Sequence, residues 1–393
     1  MFFYKQGLQF YAGLMYNYKH SLQGTVEMTT WMENKSVLTG QNGTEGGISM
    51  KVSVIGATGY AGAELLRLLY QHPQAEVVHI TSESHTGEKI ATLYPHLRGL
   101  YDMELESMKD IERIGKDSDF VFIGLPHGHA MEVGRALAGM PVRIIDLGAD
   151  YRFSDTTVYE AWYHVPHTHQ DAERVYGLAE LYREQIKGAK IIGNAGCFTT
   201  ASILALAPLA KQHLIDVNTI IVDAKSGVSG AGRGAKQANH FPELYDNFRA
   251  YNVAKHRHTP EIEQALADIS GEKVLLNFTP HLVPMSRGIL STCYANLKEG
   301  VTADLVSAAF AKLYGKEYFI RLLGEGAYPS TKEVRGSNFC DIAWHVDERT
   351  GRVIVLSAID NLVKGAAGQA VQNFNIACGF EERMGLDFVP LYP

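Results

Sequence analysis

The chain has 393 residues, of which 46% are hydrophobic and 20% charged, and its formal net charge is −7. This length predicts two domains, and the composition is that of a globular protein and excludes a chain that is disordered throughout. The negative charge gives no basic footprint, so nucleic acid is not an expected partner. The sequence lacks an apolar run of about 18 residues, so no membrane-spanning helix is expected.

The four cysteines are widely spaced and form no CxxC pair. This spacing argues against a structural metal site and against a disulfide framework, and it favours a reducing, cytoplasmic setting. Residues 1–49 differ from the rest because their hydrophobic periodicity is poor. We expect them to be an N-terminal extension that is disordered or not native, with the natural domain starting at Met50.

The first half of the chain alternates strands with helices. The strand Val52–Ile55 runs into a turn that contains Gly56, Gly59 and Gly62, and a helix follows. Further strands are predicted at 77–81, 120–125, 143–147 and 190–192. This alternation predicts an α/β fold with a Rossmann-type, doubly wound parallel sheet.

The second half has a different pattern. Strands are predicted at 219–224, 273–278, 289–297, 341–347 and 352–359. The segment 341–347 alternates, with Ile342, Trp344 and Val346 on one face, which is typical of an antiparallel strand with one packed side. We therefore expect a second α+β domain with a mostly antiparallel sheet, and a last helix, about Leu362 to Cys378, that packs back against the first domain.

The glycine loop is the first candidate site. A strand, a glycine-rich turn and a helix let backbone N–H groups approach a pyrophosphate, although a tight turn without a ligand is the alternative. The second strand ends at Thr81, Ser82, Glu83 and Ser84. The hydroxyls can bind a 2′-phosphate whereas Glu83 would repel one, so these residues favour NADP over NAD only weakly.

Cys197 follows a predicted strand and a glycine and opens a predicted helix. A helix N-terminus favours the thiolate, which is the nucleophilic form of cysteine, and its N–H groups can stabilise an oxyanion. The alternative is a buried structural cysteine, which is the interpretation we give to Cys293, Cys340 and Cys378.

Two further segments carry candidate polar groups. The segment 255–261 places His256 and His258 around an arginine, which offers a general base and an anion contact. A metal site is the rival interpretation, but no further ligands have suitable spacing, and a solvated turn before the helix at Pro260 is the third. The glycine-rich segment 225–233 can bind an anion or be a flexible surface loop.

Together these segments resemble the N-acetyl-γ-glutamyl-phosphate reductase family, which belongs with aspartate-semialdehyde dehydrogenase in fold and mechanism. The resemblance runs from about Met50 to the C-terminus and rests on the following segments: GATGYAGAEL, LPHG, DLGADYRF, VYGLAEL, the Cys197 segment, KSGVSGAGR, HRHTPEI, PHLVPMSRGIL and DNLVKGAAGQAVQNFN. It implies an enzyme that uses NADPH to reduce N-acetyl-γ-glutamyl phosphate to N-acetylglutamate 5-semialdehyde in arginine biosynthesis, with release of phosphate and through a cysteine thioester. It also implies a homodimer or homotetramer.

The resemblance assigns roles to individual residues. Cys197 is the nucleophile, and either His256 or His258 is the acid/base. The residues implied for the cofactor are Gly56, Thr58, Gly59, Tyr60, Gly62, Ser82 and Asn361. The residues implied for the substrate are Arg152, Ser226, Ser229 and Arg287, and no metal is implied. Residues 50–196 with 362–393 would form the NADP-binding domain, and residues 197–361 the catalytic and dimerisation domain.

Two departures from the family pattern surround the cysteine. Ala195 stands where the family usually has proline, and Thr199 where it commonly has proline or alanine. Two alternatives stay open: a sister enzyme that reduces carrier-linked 2-aminoadipyl 6-phosphate in lysine biosynthesis, and a non-catalytic NADP-binding protein.

Overall fold

The computed structural model describes residues 49–324 and 326–393. The predicted extension therefore lies outside the described residues except for Ser49. None of the helices among the described residues is long and apolar enough to cross a membrane.

The first sheet has six strands, all of whose neighbours are parallel, in the order β2-β1-β3-β4-β6-β5. The strands are β1 (Met50–Ile55), β2 (Ala75–Ile80), β3 (Phe120–Ile123), β4 (Arg143–Asp146), β5 (Arg174–Gly177) and β6 (Ile191–Asn194). The helices between and after them are α1 (Tyr60–Tyr70), α2 (Ile90–Leu93), α3 (Ile111–Lys116), α4 (Ala130–Ala136), α5 (Thr156–Tyr163) and α6 (Ala179–Gly188). This sheet confirms the predicted parallel architecture, although the edge strand β5 was not predicted.

Strand β1 lies between β2 and β3, so the chain changes direction across the sheet at β1. In open parallel sheets, ligands bind beyond the carboxyl ends of the strands at such a switch point. Gly56 follows β1 with a φ of +82°, and a Cβ on it would lie 2.6 Å from the carbonyl oxygen of Gly124, which follows β3. Only glycine fits at position 56. The ends of β1 and β3 therefore lie close together, and Gly56 and Gly124 both border a cavity there.

The second sheet has seven strands in the order β11-β12-β13-β10-β7-β9-β8. They are β7 (Ile221–Gly227), β8 (Arg249–Ala250), β9 (Asn277–Val283), β10 (Ile289–Asn296), β11 (Ile320–Leu322), β12 (Cys340–Asp347) and β13 (Arg352–Ile359). Four of the six neighbouring pairs are antiparallel, and the pairs β11–β12 and β7–β9 are parallel. The prediction of a second, mostly antiparallel sheet is confirmed.

One strand prediction was wrong in its position. We expected a strand at 273–278, but β9 covers Asn277–Val283. The backbone N–H of Leu276 donates to the Glu263 carboxylate at 3.1 Å instead of to a neighbouring strand. Pro280 lies inside β9, and a proline in the interior of a sheet usually argues against a strand. The apolar run before β9 therefore gave a misleading signal.

Helix α7 (Cys197–Lys211) lies at the centre of the second half, and every residue from Phe198 to Ala210 is buried. It packs on β10 and β13 and contacts two other helices of this half. The remaining helices are α8 (Phe241–Leu244), α9 (Thr259–Ser270) and α10 (Ala303–Tyr314), of which α9 and α10 contact α7. A helix that is apolar on all sides is a core element, so the residue at its start is held by the packing of the whole helix.

The C-terminal part returns to the first sheet. A π-helix, Val363–Ala367, precedes α11 (Gly368–Cys378), where the sequence predicted one continuous helix. Phe374 of α11 packs edge-on against Phe120 of β3 at a centroid distance of 5.0 Å, as predicted for a helix that packs back on the first domain. Lys364 of the π-helix is fully buried and donates to the Glu180 carboxylate of α6 at 2.6 Å.

The Lys364–Glu180 pair leads to a stability prediction. Lys364→Met leaves the buried Glu180 carboxylate without its counter-charge, and breaking a buried pair in this way costs about 3–5 kcal/mol of unfolding free energy. Urea denaturation measures this loss. The matched control is Lys187→Met, because Lys187 pairs with Glu184 at the same kind of distance, 2.7 Å, but on the surface, where such a pair contributes about 0–1 kcal/mol. Equal losses in the two variants would contradict the argument.

Candidate active site

Cys197 is the first residue of α7, directly after a short turn that leaves β6. It is half-buried and borders a cavity of about 360 Å³. Gly196 is the N-cap residue of α7, so the helix start has no capping side chain. A Cβ at position 196 would lie 2.7 Å from Nε2 of His258 and 2.8 Å from Nη1 of Arg152. The absence of a side chain at Gly196 lets the histidine and the arginine approach the turn that carries the thiol.

The π-helix approaches Cys197 from the other side. A Cβ on Gly365 would lie 2.7 Å from Cβ of Cys197, which is closer than two side chains can stand. The carboxylate of Asp360 accepts hydrogen bonds from the backbone N–H groups of Leu362 and Val363, at 2.8 and 3.2 Å, and so holds the start of the π-helix. A π-helical segment often marks a functional site, and here it brings bare backbone against the thiol-bearing residue.

His256 and His258 border the same cavity as Cys197. Their ring centroids are 4.8 Å apart, and the backbone N–H of His258 donates to Nδ1 of His256 at 3.1 Å. The structure thus brings together the predicted nucleophile and both candidate bases. Among the described residues, no group of three or more His, Cys, Asp or Glu side chains is arranged to hold a metal ion.

The histidines of the cavity are neutral in the ordinary pH range. Burial, assisted by the charge of Arg257, lowers the pKa of His256 to about 4. Burial likewise holds the pKa of His258 well below its usual value, with further lowering by His256 and Arg152. His127 also borders the cavity, and burial and Arg257 lower its pKa to about 3. Burial and the neighbouring arginines therefore both favour the uncharged form of each imidazole.

The thiol of Cys197 shows the opposite effect. Burial raises its pKa to about 11, although Arg152 and the backbone N–H of Phe198 both act to lower it. The sequence argument that a helix N-terminus favours the thiolate is correct in direction, but desolvation is the larger effect here. Cys197 rests as a protonated thiol, so a base must take its proton when it reacts.

Arg152 and Glu261 form a buried ion pair under the turn, with Nη1 and Oε2 at 3.2 Å. Burial acts against the charge of Arg152, but Glu261 raises its pKa above the usual value. Arg152 also donates to the carbonyl oxygens of Asn194 and Leu147, at 2.7 and 2.9 Å. These three bonds use three of its five N–H donors, and Arg152 borders the Cys197 cavity.

The other predicted substrate residues divide into two groups. Ser226 and Ser229 border the Cys197 cavity, as does Asn361, whose amide donates to Oγ of Ser229 at 3.0 Å. Arg287 does not border it. Instead, its guanidinium donates to the Glu64 carboxylate of α1 at 2.7 Å and borders an adjacent cavity of about 380 Å³.

A larger cavity of about 790 Å³ lies at the switch point of the first sheet. Gly56, Thr58, Gly59 and Ser82 border it, and Oγ1 of Thr58 lies 3.0 Å from Oγ of Ser82. Helix α1 begins beside it with neither a side-chain cap nor an acidic residue in its first turn, so its positive end is open to an anion. These residues fit a dinucleotide whose pyrophosphate lies at the start of α1. Of the other predicted cofactor residues, Gly62 lies inside α1, while Tyr60 and Asn361 border the Cys197 cavity.

Two charged residues modify this cavity. The Glu83 carboxylate accepts hydrogen bonds from the backbone N–H of Met108 at 2.5 Å and from Ser107 at 3.0 Å, so its charge is partly compensated. Arg233, from the glycine-rich loop after β7, donates to the carbonyl oxygen of Thr58 at 3.2 Å and borders the cofactor cavity and the Cys197 cavity. A cation from the second half of the chain therefore reaches the predicted cofactor loop.

Comparison with known proteins identifies the family of this chain. Residues 51–189 match the family model described as semialdehyde dehydrogenase, NAD binding domain, and residues 197–361 match semialdehyde dehydrogenase, dimerisation domain. The N-acetyl-gamma-glutamyl-phosphate reductase of Pelotomaculum thermopropionicum is 53% identical over 348 residues, which is 88% of this chain and 100% of that protein. The enzyme of the same name from Geobacter metallireducens is also 53% identical, over 347 residues. The chain belongs to the N-acetyl-gamma-glutamyl-phosphate reductase family.

Solved structures support the fold. Aspartate semialdehyde dehydrogenase II from Vibrio cholerae is similar to this family member with a TM-score of 0.64 and 17% identity, over 84% of this chain and 99% of that one. Aspartate semialdehyde dehydrogenase from Candida albicans, solved with NADP, has a TM-score of 0.60 and 16% identity over 84% and 98%. The predicted fold class is confirmed. The first sheet belongs to the domain that matches the NAD binding domain model.

Two residues of this reductase-family site were not singled out from the sequence. Glu261 lies in the quoted segment HRHTPEI and His127 in LPHG, but neither was given a role. The available signal for Glu261 was a carboxylate three residues after His258, at the start of a helix. Its partners come from residues 152, 176, 196 and 199, and no local pattern shows that these meet.

The raised pKa of Cys197 leads to a reactivity prediction. In the ligand-free protein, the rate of Cys197 alkylation by iodoacetamide should rise about tenfold per pH unit between pH 7 and 10, because only the thiolate reacts and its fraction grows tenfold per unit below a pKa of about 11. Mass spectrometry of the Cys197 peptide measures the rate, and Cys197→Ser gives the background from the other thiols. A rate that levels off by pH 8 would show that the helix N-terminus outweighs burial.

Proposed function

We propose that this chain catalyses the NADPH-dependent reduction of N-acetyl-γ-glutamyl phosphate to N-acetylglutamate 5-semialdehyde and phosphate, as a step of arginine biosynthesis. The observation that carries the proposal is the single cavity that Cys197 shares with His256, His258 and Arg152, next to a cofactor cavity reached by Arg233. The names of the relatives at 53% identity supply the substrate. A reactive thiol needs a reducing compartment, so we place the reaction in the cytoplasm.

In the first half of the reaction, Cys197 attacks the acyl carbon of the substrate. A carbon–sulfur bond forms, the bond from carbon to the phosphate oxygen breaks, and inorganic phosphate leaves. The thiol proton passes to an imidazole, for which His256 and His258 are the candidates. Helix α7 begins at Cys197 without a side-chain cap, and we propose that its first backbone N–H groups stabilise the oxygen that becomes negative in the tetrahedral intermediate.

The substrate itself makes this proton transfer possible. In the ligand-free cavity the thiol has a pKa of about 11 and His256 one of about 4, so the transfer is unfavourable. Part of the lowering at His256 and His258 comes from neighbouring positive groups such as Arg257. A bound acyl phosphate brings negative charge into the cavity and raises the pKa of both imidazoles, since a nearby opposite charge favours the charged form. The same negative charge disfavours a free thiolate, so we propose that the proton passes to the imidazole as the carbon–sulfur bond forms and not before it.

In the second half, NADPH, when bound, supplies the hydride that reduces the thioester. The sulfur of Cys197 is the leaving group, and it regains a proton from the imidazole that took it. Ser226, Ser229 and Asn361 line the cavity on the side of the second sheet and orient the acyl chain. Arg152 has two N–H donors beyond those used in the protein, and we propose that they contact the substrate phosphate.

We propose NADP(H) rather than NAD(H) on three features of the cofactor cavity. The hydroxyls of Thr58, Ser82 and Ser84 lie next to one another, with Ser82 Oγ 3.0 Å from Thr58 and 3.4 Å from Ser84. Arg233 adds a permanent positive charge at the same loop. Glu83, which would repel a 2′-phosphate, has its carboxylate engaged by Ser107 and Met108. Hydroxyls with an arginine suit a phosphate better than a ribose hydroxyl.

The test is the reverse reaction, in which N-acetylglutamate 5-semialdehyde reduces the oxidised cofactor and inorganic phosphate takes up the acyl group. We expect reduction of NADP that depends on phosphate, a slower reaction with NAD, and loss of turnover in Cys197→Ser without loss of NADP binding. Retention of more than about a tenth of the wild-type kcat, a loss under ~1.4 kcal/mol, would contradict the covalent role of Cys197. Activity only with carrier-linked 2-aminoadipate 6-semialdehyde would assign the lysine enzyme, and no activity from folded, NADP-binding protein would favour a non-catalytic role.

We propose a homodimer that forms through the open face of the second sheet. The dimerisation-domain model covers this sheet, and Tyr294 of β10 lies between Ile221 of β7 and Ile354 of β13 on the face opposite α7. Ile221 is 38% exposed, which is unusual for isoleucine in a central sheet. Sedimentation equilibrium should give twice the chain mass of 43.4 kDa, or four times it if dimers pair further. A monomer at micromolar concentration would contradict the proposal.

A further inference from the structure

The carboxylate of Glu261 lies completely buried beneath the turn that carries Cys197. Its Oε1 accepts hydrogen bonds from the backbone N–H of Gly196 at 2.9 Å, from the hydroxyl of Tyr176 at 2.8 Å and from the hydroxyl of Thr199 at 2.8 Å. Its Oε2 accepts from Arg152 at 3.2 Å. Three separate segments of the chain are therefore joined to α9 at one carboxylate. A buried carboxylate with all its partners present is held in one place, because losing any donor leaves part of a buried charge uncompensated.

Thr199 makes the most direct link between this carboxylate and the turn. Its Oγ1 lies 2.7 Å from the carbonyl oxygen of Gly196 and 2.8 Å from Oε1 of Glu261, so its single proton is shared between two acceptors. The N–H of Gly196 donates to the same Oε1. The N–H of Gly196, the residue that precedes Cys197, is thus bound directly to Glu261, and its carbonyl oxygen is bound to the Thr199 hydroxyl, which also contacts Glu261. These bonds restrict the direction in which α7 presents its first residue.

The turn needs such a link because its own residues do not restrict it. Ala195 lacks the ring by which a proline fixes its own φ, and its N–H makes a hydrogen bond of 3.3 Å to the carbonyl oxygen of Gly177. Gly196 has no side chain and is the most permissive residue. Neither residue restricts its own backbone as proline would, so the placement of the thiol depends on contacts from elsewhere, and a misplacement of about 1 Å can cost about a hundredfold in rate.

We propose that Thr199 and Glu261 are positioning residues for Cys197, and that in this chain the Thr199 hydroxyl provides the restraint on the turn that a proline at position 195 would provide. The inference rests on the proposed function for its effect on turnover, but not for its effect on the thiol. Thr199 does not border the Cys197 cavity, so it acts through Gly196 and Glu261 rather than on the substrate.

The next residue in the helix offers a matched control. Thr200 is fully buried like Thr199, but its hydroxyl has no hydrogen-bond partner among the described residues. Thr199→Val and Thr200→Val make the same change in shape at adjacent positions of α7. Only the first removes a bond to Glu261, so the comparison separates the hydrogen bond from the general cost of altering this helix.

We expect Thr199→Val to lower kcat about tenfold, with KM for both substrates changed less than about twofold. The reason is that the lost hydrogen bond affects the placement of the reacting sulfur and not the binding of the substrates. Alkylation of Cys197 at pH 8.5 should slow about threefold or more, since the Glu261 carboxylate loses a donor and opposes the thiolate more strongly. Thr199→Ser should restore most of both rates, and Thr200→Val should leave both near wild type. If Thr199→Val does not fold, Thr199→Ala carries the same test.

Three results would overturn the proposal: unchanged kcat and alkylation in Thr199→Val, equal losses in Thr199→Val and Thr200→Val, or no recovery in Thr199→Ser. The alkylation rate does not depend on what the enzyme acts on. If wild-type protein shows no reductase activity but Thr199→Val still slows alkylation, the proposed function has failed while the positioning role stands.

Discussion

The close approach of two backbone segments to Cys197 is the constraint on which the rest of the site depends. Gly196 leaves room for His258 and Arg152, and Gly365 lies against the Cβ of Cys197 itself. Gly196 ends the turn from the first sheet, while Gly365 belongs to the π-helix through which the chain returns to that sheet from the second. Any shift of one sheet against the other would open or overlap these contacts, because packed interiors resist such changes. The position of Cys197, the proposed nucleophile, therefore depends on the whole fold.

Two ion pairs link the two halves of the chain. Arg152 with Glu261 is buried on both sides, whereas in the pair of Glu64 with Arg287 only the carboxylate is buried. Compared with apolar replacements such pairs add little stability, because the charges must be desolvated. Their effect is to specify the relative position of the two sheets, because any other position would leave a buried charge without its partner. Arg287, expected from the sequence to contact the substrate, forms one of these pairs with Glu64.

The sequence predicts what depends on local pattern and leaves out what depends on distant partners. The glycine loop, the cysteine at a helix start and the two histidines each combine a residue type with a recognisable local context, and the structure gathers Cys197, His256 and His258 in one cavity. The strand expected at 273–278 failed because the N–H of Leu276 binds the side chain of Glu263, and the π-helix at 363–367 follows from the backbone bonds to Asp360. Glu261 has an unremarkable place in the sequence, and its four donors meet only after folding.

The pKa of Cys197 shows how a correct local argument is outweighed by its surroundings. A helix N-terminus and Arg152 do favour the thiolate, as the sequence predicts, but burial in an apolar helix and sheet raises the pKa to about 11. The same burial, with the positive neighbours, keeps His256 and His258 unprotonated. Each group alone is therefore poorly suited to its role: the thiol holds its proton, and the imidazoles are weak bases. On the proposed function, an anionic substrate strengthens the imidazoles through its charge, and its carbonyl carbon accepts the sulfur as the proton leaves. The proposed reaction therefore depends on occupancy of the cavity, because the raised pKa of Cys197 keeps the thiolate fraction low in the ligand-free protein.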